Sequence, residues 1–299
     1  MNLNSIWSAL EESSEFLFDN YAWVPADKAA EELSLPAGYY TWVMPLWIFD
    51  AEPFTIAEFI RYFPYGLAQV NDARLASAVQ QGYLTSDGQG AYRAAESGRT
   101  AALRLMQAGN EAMSALTPMP KESLRTIGNL LARISDAASS APEPPAHFLL
   151  DAKRDLYQRT NTFAILEGLI AHCLLLEGYR DDCYYATWSA HDVEGHTWEV
   201  LDQLSQNDAL TFDELHDKLS RRGVTREVHA ADVQELTRRG WTDDASGKTQ
   251  ITAAGKQVRA KVEAETERLF FAPWSCLNES ELAELSRLAS QLRDGLKGM

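Results

Sequence analysis

The clearest hydrophobic pattern lies in the second half of the chain. Trp198, Leu201 and Leu204 recur at helical spacing. Leu210-Thr211 opens a new element, and Thr211 followed by Glu214 has the S/T-x-x-E spacing of a capping box. The helix begun there runs through Leu215 and Leu219 and breaks at Gly223. Thr225 suits the N-cap of the next helix, whose apolar Val228, Val233 and Leu236 point inward. Gly240 ends that helix where the chain needs a positive φ. Trp241-Thr242 and Gln250-Ile251-Thr252 predict two short strands around the polar turn 243–248, and Ala253-Ala254-Gly255 opens a long helix. Helix, helix, hairpin, helix is the order of a winged helix-turn-helix.

The first half repeats the pattern. Thr55-x-x-Glu58 is again a capping box, and a helix through Leu75 and Val79 ends at Gly82. Tyr83-Leu84 and Ala91-Tyr92-Arg93 flank the loop 85–90. Sliding the chain by 156 places Thr41-Trp42 on Thr197-Trp198, Phe54-Thr55 on Leu210-Thr211 and Glu58 on Glu214. At 158, Leu75 meets Val233, Gly82 meets Gly240, Tyr83 meets Trp241, and Leu124, Ile127 and Leu130 meet Leu282, Leu285 and Leu288. Gly98 meets Gly255 at 157. A repeat of this length means two copies of one unit. The Ala-, Ser- and Pro-rich run from Ala137 to Pro145 reads as a linker. The expected organisation is a first winged-helix half over 1–136 with its wing at about 83–93, a linker over 137–147, and a second half over 148–299 with its wing at about 241–252. The expected fold is mainly α with small β-wings: a tandem winged helix-turn-helix pseudo-dimer in one chain.

Composition refines this picture. A chain of 299 residues with 45% hydrophobic residues can bury a large core, and no run approaches a membrane span. The N-terminus lacks the basic start and apolar run of a signal peptide, so a cytoplasmic protein is expected. The cysteines Cys173, Cys183 and Cys276 form no C-x-x-C pair, which suits reduced thiols. A net charge of −16 argues against nucleic acid in bulk. Yet residues 55–104 carry +1 and residues 211–261 carry +2, leaving −19 on the remainder, so acid is concentrated outside the two winged-helix windows.

Val233-Gln-Glu-Leu-Thr-Arg-Arg-Gly-Trp241 resembles the recognition helix and wing entry of the MarR family, and Ile251-Thr-Ala-Ala-Gly255 resembles its L-T-x-x-G. The run from Val262 to Leu277, with Glu263-x-x-Thr266-Glu267-Arg268-Leu269 and Pro273-Trp274, is similar to the SalK-like helix-turn-helix proteins, which also carry two winged-helix halves. Those proteins tend to have R-G-D-x-H before the second half. Here Arg180 and Asp182 are kept, and Tyr184 stands at the histidine position. The resemblance implies MarR-like scaffold helices over 1–40, 101–134, 148–185 and 256–296, holding two reading modules a fixed distance apart with a small ligand between scaffold and module.

A DNA-reading face needs polar and basic side chains with flanking cations for phosphate. The second copy offers Arg221, Arg222, Arg226, His229, Arg238, Arg239 and Lys248. The first copy offers little beyond Arg74 and Arg93, so a symmetric palindrome reader is not expected. The first 65 residues hold fifteen aromatics, including Trp7, Phe16, Trp23, Trp47, Phe49, Tyr62 and Tyr65, a density that suits an apolar pocket as well as a core. Candidate ligand contacts are Tyr39, Tyr40, Trp42, Tyr184, Trp188, His191, His196 and Trp198. If helical, Asp192, His196 and Glu199 share a face, although helix capping explains these residue types more simply than a metal site. No dinucleotide, phosphate-loop, zincin or nucleophile-elbow motif is present, so no catalytic residue, cofactor or metal is expected. Two functions stay open. One is a ligand-responsive MarR-like regulator that binds DNA and a small apolar or aromatic molecule, a monomer with an internal pseudo-two-fold that could pair further. The other is an enzyme or small-molecule-binding protein, for example in natural-product metabolism, that kept the fold and does not bind DNA.

Overall fold

The computed structural model describes residues 2–35, 40–160, 165–207, 209–245 and 247–299, with the side chains of 40–42, 160 and 245 outside the description. Its elements run α1 (Leu3–Leu17), α2 (Trp23–Glu32), α3 (Tyr40–Phe49), β1 (Phe54–Thr55), α4 (Ile56–Ile60), α5 (Ala68–Gln80), β2 (Leu84–Ser86), β3 (Ala91–Ala94), α6 (Glu96–Ser114) and α7 (Lys121–Ser139). They continue as α8 (Phe148–Thr160), α9 (Ile165–Ser189), α10 (Gly195–Ser205), α11 (Phe212–Leu219), α12 (Arg226–Arg238), β4 (Thr242–Ala245), β5 (Lys248–Ile251), α13 (Ala253–Phe271) and α14 (Glu279–Lys297). The protein is therefore mainly helical with small antiparallel sheets.

Local chemistry sets both helix–helix–hairpin stretches in the same way. Thr55 caps α4 and Thr211 caps α11, each hydroxyl accepting from the backbone N–H three residues on while Glu58 or Glu214 returns the bond to the cap. Gly82 and Gly240 close α5 and α12 at φ 77° and 73°, a conformation that strains side chains with a Cβ. β3 pairs with β2 and β1, and β5 pairs with β4 while Thr249 bridges to Leu210. The strands extend into residues the pattern reads as turn, with β2 taking in Thr85 and Ser86 and β4 and β5 taking in 243–245 and Lys248. α7 runs on to Ser139 with Ala138 fully buried, so the connection between the halves is shorter than the composition suggests.

Three apolar clusters organise the described residues. One fills the scaffold, with Leu10 and Leu17 of α1, Ile127 and Leu131 of α7, Leu176 and Tyr179 of α9, Phe270 of α13, Trp274 just after it, and Leu285 and Leu292 of α14. The second holds Val43, Phe54, Leu75, Leu84 and Leu105. The third holds Trp188, Trp198, Leu204, Leu215, Leu236 and Val262. α9 threads the first and third clusters and buries residues on all sides, as a central helix does. No helix among the described residues is long and apolar enough to cross a membrane.

The two helix–helix–hairpin stretches touch, where the resemblance implied modules held apart by scaffold. The turn between α4 and α5 docks on the second stretch. A Cβ on Gly195 would stand 2.0 Å from the Pro64 carbonyl oxygen, so only glycine permits this backbone approach. Tyr65 lies edge-on to Tyr185 at 5.7 Å between ring centroids and faces Trp188 at 6.2 Å. An Arg74 guanidinium N–H donates to the Arg221 carbonyl at 3.4 Å. Tyr65 of the α4–α5 turn brings this about by packing with the third apolar group around Trp188, whereas Phe63 packs on Phe59 within the first stretch.

Candidate nucleic-acid interface and ligand cavity

α12 and the β4–β5 hairpin hold most of the residues expected to face DNA. Arg226, Gln234, Thr237 and Arg238 are exposed along α12, and Lys248 is exposed at the start of β5. The arginines of α12 and its C-terminal cap are not free on this surface, whereas Lys248 has no ion-pair partner among the described residues. Arg226 pairs with Asp213 and lies over the Phe212 ring. Arg238 and Arg239 both grip Glu235, at 2.7 and 2.6 Å, and their guanidinium hydrogen bonds hold its carboxyl down at about 2. Arg222 pairs with Glu199 at 2.7 Å. Arg239 is largely pinned, since it also donates to the carbonyls of His191 and Asp192.

His229 corrects the expected DNA face. It is 1% exposed, turned inward with its Nδ1 2.9 Å from Nδ1 of His216. Its three-residue offset from Arg226 does not make it a surface neighbour, because helix α12 turns that stripe toward α11. Burial, with the nearby His216 and His196, holds its pKa below the ordinary value against the opposing charge of Asp232. On α5, the exposed residues Gln69, Asp72, Ala73, Ser77 and Gln80 carry no cation, and Val70 and Arg74 face the Arg221–Gly223 turn.

The expected His191–Glu199 constellation does not form a shared face. Asp192 sits before α10 at φ 54°, and α10 starts only at Gly195. His196 instead meets Asp232: Asp232 Oδ1 lies 2.9 Å from His196 Nδ1 and accepts from the Thr197 hydroxyl at 2.6 Å. The Asp232 hydrogen bond raises the His196 pKa. These bonds tie α10 to α12. Among the described residues no group of three or more His, Cys, Asp or Glu is placed to hold a metal.

The aromatic residues named from the second half form packed interior rather than a cavity wall. Trp198 is fully buried, stacked between Trp188 at 6.1 Å and His191 at 5.9 Å. Its indole N–H donates to the Tyr184 hydroxyl at 2.7 Å, Arg259 donates to the same oxygen at 2.8 Å, and Tyr184 donates to Asp202 at 2.6 Å. Burial and the Asp202 charge raise the Tyr184 pKa, so it is a neutral phenol at physiological pH. Tyr184, Trp188, His191, His196 and Trp198 thus hold α9, α10 and α12 together. Tyr39 lies outside the described residues, as do the side chains of Tyr40 and Trp42.

An apolar cavity of about 560 Å³ opens between the scaffold and the first helix-turn-helix stretch. Trp23 of α2, Met44 and Trp47 of α3, Tyr62 and Tyr65 of the α4–α5 turn, Met106 of α6, Leu156 of α8 and Ile170 of α9 line it, and Arg222 of the second stretch reaches its edge. Its polar wall includes Ser14, Asp181, and Lys153 paired with Glu177 at 3.1 Å. Burial lifts the Asp181 carboxyl to about 6. The volume lies within the range of small-molecule sites. Trp23, Trp47, Tyr62 and Tyr65 belong to the dense aromatic region of the sequence. Lys153, Glu177 and Asp181 gave one faint signal, charged residues at positions where α8 and α9 otherwise bury apolar residues.

A second cleft, also of about 560 Å³ but polar, separates α5 from α10 and the α11–α12 turn. Asn71, Arg74, Glu199, Lys218, Arg221 and Arg222 line it. It joins cations from both helix-turn-helix stretches, which lie well apart in sequence.

No curated protein and no solved structure matches the chain. A family model described as "Helix-turn-helix family" matches residues 72–297, from α5 of the first stretch through the scaffold to the end of α14. The chain belongs to this helix-turn-helix family.

Proposed function

We propose that this chain is a ligand-responsive DNA-binding regulator in which one chain supplies both halves of a MarR-like arrangement, 1–136 and 148–299 joined by 137–147. The SalK-like resemblance of the tail and the repeated order of helices and hairpins support this reading. The observation that carries it is the position of the apolar cavity. Its wall is shared by scaffold helices and by Tyr65 and Arg222, which themselves meet at 5.2 Å where the two helix-turn-helix stretches touch. A small apolar or aromatic molecule there contacts groups on both sides of that junction. Binding would favour one relative placement of the stretches and so change DNA affinity. The DNA contacts would come from Arg226, Arg238 and Lys248, with Arg221 and Arg222 at the turn and Arg239 positioning the wing entry.

The test is fluorescence anisotropy on bulk duplex DNA at low and moderate salt. Steeply salt-dependent binding is expected, its slope falling by about 1 with each of Arg226→Ala and Arg238→Ala. Absence of binding at low salt would remove the regulator.

One set of observations favours a second reading, a small-molecule-binding protein or enzyme without DNA. Arg222, Arg226 and Arg238 already hold carboxylate partners, which offsets the charge a phosphate would meet. Native mass spectrometry of the purified protein separates the two: a retained small molecule together with no DNA binding supports the second.

A further inference from the structure

The polar cleft between the two helix–helix–hairpin stretches adjoins the apolar cavity, sharing Met44, Phe63 and Arg222 with it, and lies apart from the exposed side chains of α12. In a chain of net charge −16, it gathers Arg74 from α5 with Lys218, Arg221 and Arg222 from the end of α11 and its following turn. The one carboxylate on its wall, Glu199, is taken by Arg222 at 2.7 Å. Arg74, Lys218 and Arg221 have no carboxylate partner among the described residues. Arg74 donates only to the Arg221 carbonyl. Asn71, 7% exposed, also lines the cleft, and its amide nitrogen has no hydrogen-bond acceptor among the described residues. An unpaired buried donor costs stability, as does crowding of like charges, and both costs fall when an acceptor-rich anion enters.

We infer that this cleft binds a small phosphorylated or pyrophosphate-bearing ligand that bridges the two helix-turn-helix stretches. Guanidinium groups match phosphate oxygens with paired N–H donors, and the Lys218 ammonium adds a point charge at the rim. Arg74 approaches from one stretch, and Arg221 and Arg222 from the other. An occupied cleft therefore ties the stretches together at the same junction that Tyr65 seals. The site goes beyond the proposed DNA face, with which it shares Arg221 and Arg222, by adding Arg74, Lys218 and Asn71.

The phosphate could belong to a free small molecule or to a DNA backbone, and the experiment separates them. The full chain is titrated calorimetrically with pyrophosphate, against chloride at matched ionic strength, and its melting temperature is followed with the same additions. Saturable pyrophosphate binding with a raised melting temperature is expected. Arg74→Gln and Arg221→Gln are each expected to weaken it about tenfold. Arg238→Ala lies outside the cleft and is expected to leave pyrophosphate affinity unchanged whatever it does to DNA. Displacement of pyrophosphate by a short duplex, abolished by Arg221→Gln, assigns the site to backbone phosphate instead of a free ligand and overturns the inference. So does pyrophosphate binding no stronger than chloride, or binding untouched by Arg74→Gln and Arg221→Gln. Lys218→Gln, at an exposed position, serves as a third variant should either arginine prove necessary for folding.

Discussion

A Cβ on Gly255 would lie 2.2 Å from the Trp241 carbonyl oxygen, and Gly98 stands in the same relation to Tyr83, also at 2.2 Å. Each glycine lies in the first turn of the helix that follows a hairpin, against the residue that enters the hairpin. The carbonyls so crowded also accept backbone bonds, from Thr252 to Trp241 at 2.9 Å and from Ala95 to Tyr83 at 3.0 Å. Gly→Ala inside a helix ordinarily stabilises by about 1 kcal/mol through propensity. Here the sign reverses, because the backbone must move. Gly255→Ala and Gly98→Ala are each expected to destabilise the protein by roughly 1–3 kcal/mol in urea denaturation. Unchanged or increased stability in both variants would show that the hairpin-to-helix contact is loose.

That pair of glycines also shows what the sequence made legible. Capping boxes, closing glycines and hairpins depend on a few neighbouring residues, so Thr55, Gly82, Thr211 and Gly240 could be placed from spacing alone. The docking of the α4–α5 turn on Gly195 could not, because it joins residues about 130 apart and rests on a missing side chain. The direction of His229 was misread for a related reason. A helical offset tells which residues share a stripe, but packing of α11 decides which stripe is covered. The cavity combines groups from α1 to α9 with no common motif, and its aromatic lining looks like any core until the void between the helices is seen.

His216 and His229 share one hydrogen bond between ring nitrogens, so one ring must donate and the other accept. Adding a proton to the acceptor removes that bond. Because burial holds the His229 pKa below its unfolded value, the folded protein takes up this proton less readily than the unfolded chain. Stability from this group is therefore present above the unfolded value of about 6.5 and falls as the pH drops below it. His196 works the other way. Its pKa is raised by Asp232, so its contribution is full below about 6.5 and is lost as pH rises through the folded value. Urea midpoints measured from pH 5 to 8 should show His196→Gln losing stability more steeply on the acid side than the wild type. His229→Gln should flatten that limb. Parallel profiles for all three proteins would refute the assignment of opposite signs.

Tyr184 is the acceptor for both Trp198 and Arg259 and the donor to Asp202, all within the third apolar cluster. Tyr184→Phe keeps the ring and removes the shared oxygen. It leaves the Trp198 indole N–H without an acceptor and Asp202 with one donor fewer, although Arg259 keeps its contact to Asp202 at 2.7 Å. A loss of about 1–3 kcal/mol in denaturation is expected, the cost of an unsatisfied buried group. Trp198 fluorescence should shift as well. Unaltered stability would mean that water replaces the hydroxyl at no cost, and the cluster would then be held by ring packing alone.

Glu235 limits the positive charge of the proposed reading surface. Its carboxylate accepts from Arg238 at 2.7 and 2.8 Å and from Arg239 at 2.6 Å. Phosphate must compete with it for Arg238, whereas Arg239 stays tied to the carbonyls of His191 and Asp192 whether or not Glu235 is present. Glu235→Gln removes the competing charge and keeps the helix position filled by a good helix former. For a DNA-binding protein, this substitution should tighten binding several-fold at low salt and steepen the salt slope by up to about one unit, the release of one further counterion. Glu235→Gln combined with Arg238→Ala should lose that gain. A non-DNA-binding protein would show no binding in any of these variants, including the one with the greatest exposed charge. Anisotropy titrations of the wild type, Arg238→Ala, Glu235→Gln and the double variant on one duplex therefore test the surface directly, and a gain in Glu235→Gln that survives Arg238→Ala would place the contact elsewhere.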